Sequence, residues 1–134
     1  MDAEELKGRT REYALRIIRA VRSLPADQVA QHMGRQLLRS ATSVAANYRA
    51  ACRSRSRSEF VAKMGVVEEE ADESVFWMEL LVDAGVLPQG RVRNLLREGN
   101  ELVAIAVSSK RTARSSIGRN NNRQSSIVSR QSSR

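Results

Sequence analysis

Residues 35–77 place apolar side chains at three- and four-residue steps on both sides of one short, arginine-rich turn, and this pattern constrains the fold more than any other feature. Before the turn the stripe is Val29, Met33, Leu37, Ala41, Val44, Tyr48 and Ala51. After it the stripe is Phe60, Met64, Val67, Ala71, Ser74, Met78 and Leu81. A period near 3.6 gathers each set on one face of a helix. Helices joined by so few residues are expected to lie side by side and antiparallel. The junction itself carries Arg49, Arg53, Arg55 and Arg57, and an acidic run follows: Glu68, Glu69, Glu70, Asp72 and Glu73.

Helix boundaries are written into the same region. Asp27 is a suitable N-cap for the helix before the turn. That helix is rich in small residues (Ser40, Ala41, Ser43, Ala45, Ala46, Ala50), which allow a neighbouring helix to approach closely. Asn47, a poor helix former, stands in this run as either a specific hydrogen-bonding amide or an exposed one. After the turn, Ser56-Arg57-Ser58-Glu59 fits a capping box, in which Ser and Glu each satisfy a free backbone N–H. Gly85 suits the position just past the end of the third helix.

Two more segments complete the set. Residues 4–23 carry Leu6, Thr10, Tyr13, Ile17, Val21 and Leu24 in one stripe, with acids early and arginines late, until Pro25 stops the helix. A fourth helix is predicted from Pro88, with Val92, Leu95, Gly99, Leu102 and Ala106 in its stripe, fading near Lys110. Four helices of similar length with short connections predict an all-α, antiparallel up-down-up-down bundle over residues 1–111. Residues 112–134 are rich in Ser, Asn and Arg, and are expected to form a disordered basic tail. Scarce Pro, Gly and aromatic residues also favour helices over sheets.

Charge is unevenly distributed. Residues 108–134 contain seven basic residues and no acid, so of the net charge of +8 only +1 belongs to residues 1–107. A basic tail either attracts polyanions through counterion release or serves as a solvated extension. The single cysteine, Cys52, excludes an internal disulfide. No apolar run is long enough to span a membrane. The charged N-terminus lacks the apolar stretch of a signal peptide, so a cytoplasmic protein is expected.

Between residues 24 and 107 the chain resembles the four-helix-bundle family encoded within intervening sequences of large-subunit ribosomal RNA genes. Leu24-Pro25, the run Gln36-Leu37-Leu38-Arg39-Ser40-Ala41-Thr42-Ser43-Val44 and Asn47 carry the first part of the resemblance. Arg53-Ser54-Arg55-Ser56, Ser58-Glu59-Phe60, Glu68-Glu69-Glu70-Ala71-Asp72-Glu73, Trp77 and Leu80 carry the rest. Many members read Asn-Ile-Ala-Glu-Gly where this chain has Asn47-Tyr48-Arg49-Ala50-Ala51, so a helix-breaking glycine is lost and the helix is expected to reach Cys52. The resemblance implies a bundle that assembles into a ring, commonly a pentamer. It also implies relatedness to the accessory variability proteins of diversity-generating retroelements, which bind nucleic acid and a reverse transcriptase. It implies no activity.

Candidate sites follow from the charge pattern. Glu69 and Glu73 share a helix face and are candidates to pair with Arg39 or Arg49; a simple solvated face is the alternative. A two-metal carboxylate site needs Glu-x-x-His on two helices, and the chain has one histidine, His32, in no such pattern. Arg49, Arg53, Arg55 and Arg57, with Lys110, Arg111 and Arg114 beyond the bundle, are candidate phosphate contacts; pairing with nearby acids is the alternative. Trp77 borders its stripe, as a core-edge residue or as an anchor of a subunit interface. Cys52 reads as buried packing and His32 as a surface or boundary residue. No nucleophile motif, phosphate-binding glycine loop or cofactor signature occurs. The expectation is a non-enzymatic oligomeric bundle binding RNA or DNA electrostatically, without a cofactor; the alternative is a purely structural or protein-interaction module.

Overall fold

A computed structural model of the chain describes the backbone of residues 1–132 and the side chains of residues 1–118. Four helices account for nearly all of it: α1 (Ala3–Arg22), α2 (Gln28–Cys52), α3 (Arg57–Asp83) and α4 (Gln89–Ser132). Each of the first three starts where a short oxygen-bearing side chain accepts a free backbone N–H. Asp2 accepts from Glu5 at 2.8 Å, Asp27 from Ala30 at 3.0 Å and Ser56 from Glu59 at 3.0 Å. Glu59 returns the favour one residue early, accepting from the N–H of Arg55 at 3.1 Å.

The stops are equally local. With no glycine near residue 51, α2 runs to Cys52. At the end of α3, Gly85 adopts φ +74, a left-handed conformation that costs glycine nothing. The Gly85 N–H then bonds to the carbonyl of Val82, and that of Val86 to the carbonyl of Leu81. These two bonds make a Schellman cap.

Helices consecutive in sequence pack side by side: α1 on α2, α2 on α3 and α3 on α4, with a shorter seam between α1 and α4 closing the bundle. The core runs along its axis and is built from Tyr13, Ile17, Leu37, Val44, Met64, Met78, Leu81 and Val92, all essentially without solvent contact. Most of the stripe residues fall inside. Val29 does not: it is 60% exposed, and Ala30 takes its place in the core. Both residues lie one helical turn before Met33, and the rotation of α2 about its axis selects Ala30.

The fourth helix also differs from expectation. It does not fade at Lys110 but continues through residues 111–118, with Ala113 buried on the same face as Leu102 and Ala106. No proline or glycine interrupts residues 100–117, so nothing local ends the helix once its apolar face has a neighbour. The expected disorder therefore fails for residues 112–118; the rest of that expectation concerns residues 119–134, whose side chains lie outside those described.

One buried polar contact ties α1 to α3. The Tyr13 hydroxyl lies 2.7 Å from Ser74 Oγ, which donates to the Ala71 carbonyl at 2.6 Å. Gly99 of α4 closes over this pair: a Cβ there would lie 2.7 Å from Val75 Cγ2 and 2.8 Å from Tyr13 Oη. Burial pushes the Tyr13 phenol up to about 12. Burial also raises Tyr48, with Cys52 adding to the effect. An acid whose folded value lies above its unfolded one favours folding fully below the unfolded value and loses that contribution as pH rises towards the folded one. Thermal midpoints are therefore expected to hold up to about pH 10, the ordinary tyrosine value, and to fall between there and pH 12. Melting Tyr13→Phe alongside the parent across that range checks this, because the variant should show a shallower decline.

Candidate nucleic-acid interface

At one end of the bundle α1 begins, α2 ends and α3 begins. The arginine-rich turn sits there because Cys52 and Ser56 place the stop and the start only four residues apart. Arg49 lies in the last turn of α2, Arg53 is its C-cap, Arg55 is in the turn and Arg57 opens α3. All four are exposed, and none has a carboxylate within ion-pair distance among the described residues. The nearest acid in sequence, Glu59, is committed to the backbone N–H of Arg55.

Two adjoining grooves open on this end and share Ala46 and Arg49. One, of about 490 Å³, lies between α1 and α2 and is edged by Lys7, Arg11 and Arg49 over a floor of Gly8, Ala45 and Ala46. The other, of about 710 Å³, lies between α2 and α3, with Arg49, Arg53, Arg55 and Lys63 around Ala46 and Ala50. The small residues noted in the second helix thus form groove floors. The carboxylates on these grooves are Glu59 and Glu4, the latter held by Lys7 Nζ at 3.1 Å.

Of the remaining candidate cations, Arg39 and Lys110 are engaged. The Arg39 guanidinium reaches from α2 to Glu70 at 3.1 Å and Glu73 at 2.5 Å on α3. Trp77 Nε1 donates to the same Glu73 at 3.2 Å. Arg39 first, and Trp77 after it, hold the Glu73 carboxyl below the usual range against the opposing effect of burial. Glu69, expected as the second carboxylate, points to solvent instead; Glu70 and Glu73, three residues apart, face α2. Asn47 Nδ2 merely donates to the Ser43 carbonyl at 2.9 Å.

Lys110, expected among the phosphate contacts, pairs with Glu68 at 2.7 Å across the α3–α4 interface and is four-fifths covered. That pairing follows from the continuation of α4, which brings Lys110 against the acidic run. Arg111 and Arg114, on the same continuation, are exposed. Trp77 is half-buried against the core, edge-on to His32 (ring centroids 6.2 Å apart) and to Phe76 (5.0 Å). Cys52 is half-buried against the core as well.

One ion-pair cluster escaped sequence reasoning altogether. Arg9 of α1 donates from Nε to Glu98 at 2.8 Å and from Nη2 to the other Glu98 oxygen at 2.6 Å, and also meets Glu101. This bidentate pair holds the Glu98 carboxyl below its ordinary range. The available signal was positional: Arg9 precedes the core residue Thr10, and Glu98 precedes Gly99, so both flank the stripes that bring α1 and α4 together.

Among the described residues no group of His, Cys, Asp and Glu side chains is placed to hold a metal ion. None of the described helices is long and apolar enough to cross a membrane.

A family model described as 23S rRNA-intervening sequence protein matches residues 5–108, which extends the resemblance back through α1. Among solved structures, the chain is similar to a protein with unknown function from the S23 ribosomal protein family of Bacteroides thetaiotaomicron VPI-5482. The two are 29% identical with a TM-score of 0.77, over 83% of this chain and 99% of that one. Comparison with curated proteins gives no match.

Proposed function

We propose, from the premise that the chain belongs to the 23S rRNA-intervening sequence protein family, that it is a non-enzymatic bundle binding nucleic acid through the sugar–phosphate backbone at its arginine-rich end. One observation carries this reading. Arg9, Arg39 and Lys110 are each held by carboxylates, whereas Arg49, Arg53, Arg55 and Arg57 stand together, exposed and without acidic partners. Cations that leave water for a partner elsewhere in the molecule are structural. Cations clustered without one repel each other, and an anion relieves that repulsion. Arg111 and Arg114 add charge on α4.

The test is charge reversal in the full chain. Arg49→Glu, Arg53→Glu and Arg55→Glu together should weaken binding to a structured RNA by about an order of magnitude at low salt. They should also flatten the dependence of log affinity on log salt by about three, one for each lost phosphate contact. Fluorescence anisotropy measures both, and circular dichroism should report unchanged helix content. Failure of the parent protein to retain RNA or DNA at low salt would sink the proposal.

A second reading has its own support. Phe76 is 52% exposed on α3, with Leu80 one turn away and half-buried Trp77 beside it. Such a face favours self-association, in line with the ring implied by the family resemblance. Light scattering on the charge-reversed protein separates the readings: an intact assembly with lost RNA binding favours the first, and loss of the assembly favours a protein-interaction module.

A further inference from the structure

We infer that the ligand of the basic end is a nucleic-acid duplex, gripped by rows of cations on neighbouring helices rather than read through its bases. This rests on the backbone-binding reading above and narrows it to a class of ligand. The two grooves are framed by three rows. Lys7 and Arg11 stand one turn apart on α1, Arg49 and Arg53 one turn apart on α2, and Arg55 and Lys63 lie on the α3 side. One turn is about 5–6 Å along a helix, and packed helices lie about 8–10 Å apart. Rows on adjacent helices are thus set about 8–10 Å apart, wider than the minor groove of B-form DNA (about 6 Å) and narrower than its major groove (about 12 Å). The ground between them is Gly8, Ala45, Ala46 and Ala50, which offers no side chain tall enough to enter a base stack.

A single strand makes the opposite demand. It presents one line of phosphates and gains much of its affinity by stacking bases on aromatic faces. None of the residues lining either groove is aromatic. Tyr13 and Tyr48 are buried, Phe60 at the start of α3 is partly buried against the core and lines neither groove, and Phe76 and Trp77 lie on the far half of α3, towards the other end of the bundle. Two phosphate lines across a groove match rows of cations on two helices; a lone strand leaves one row idle and its bases without a platform.

The experiment titrates the full-length protein with four probes of equal length: an RNA duplex, a DNA duplex and the corresponding unstructured single strands. A duplex is expected to bind at least about tenfold tighter than its single strand, with a log–log salt slope of about −4.5 for the five cations that no carboxylate holds, Lys7 being paired with Glu4. Preference for either duplex supports the inference and identifies the source of the backbone. Arg49→Glu with Arg53→Glu in the full chain should flatten the duplex slope by about two. Single strands binding as tightly as duplexes would overturn the duplex assignment while leaving backbone binding standing. An unchanged slope in the double variant would overturn the groove assignment. Absence of binding to all four probes would overturn both.

Discussion

Gly99→Val is expected to destabilise the bundle by about 3 kcal/mol, because the side chain would have to occupy space already held by Val75 and the Tyr13 hydroxyl. A Cβ alone meets those atoms at 2.7 and 2.8 Å, so even Gly99→Ala should cost about 1–3 kcal/mol. In an ordinary helix interior the same change stabilises, by about 0.5–1 kcal/mol. The chain contains its own control. Gly65, in the middle of α3, has nothing within 4 Å of a Cβ, and Gly65→Ala should therefore raise stability by that amount. Gly34 falls between the two, since its Cβ would crowd the terminal methyl of Leu24 at 2.6 Å, which can turn aside, and would touch Val21 Cγ1 at an ordinary 3.5 Å. Urea unfolding of the three alanine variants should give opposite signs at positions 65 and 99. A stabilising Gly99→Ala would mean that α4 does not approach α1 and α3 as closely as described.

Leu37→Ala is the second large effect. Leu37 has no solvent exposure and sits midway along α2, enclosed by the core. Truncation should cost about 2–5 kcal/mol, from lost apolar burial and from the cavity left between helices that cannot collapse freely. Val29 belongs to the same sequence pattern but is exposed, and Val29→Ser should change stability by no more than about 0.5 kcal/mol. Denaturant midpoints of the two variants check this; similar losses at both positions would contradict the placement of α2.

That pair also marks how far the sequence could be read. A stripe repeating every three or four residues identifies a buried face over about five turns, which is why Met33 through Ala51 were legible. At a helix end the repeat has no further member to set its phase, so Val29 and Ala30 were equally compatible with it. The acidic run posed the same problem in another form. Spacing of four nominated Glu69 with Glu73, and spacing of three would have nominated Glu70; only the direction in which α3 faces α2 decides between them.

The pairing of Lys110 was illegible for a different reason. Local composition made it the first residue of a polar tail, whereas its partner, Glu68, is supplied by another helix. Arg9 was invisible for the same cause, its acids lying 89 and 92 residues away. The unpaired state of Arg49, Arg53, Arg55 and Arg57 is likewise a property of the assembled bundle. The sequence put these residues at one turn, and among the described residues none of their guanidinium groups forms an ion pair.

The short seam between α1 and α4 has a consequence for how the chain finds its shape. Every extensive interface joins helices adjacent in sequence, so most contacts form by closing loops of a few residues, at small entropic cost. Bringing α1 to α4 is the exception, since nearly the whole bundle intervenes. That costly closure is fastened by Arg9 on Glu98 and Glu101, beside a glycine small enough to let the two helices meet. Ionic strength therefore acts on the one step of assembly in which chain topology works hardest against folding.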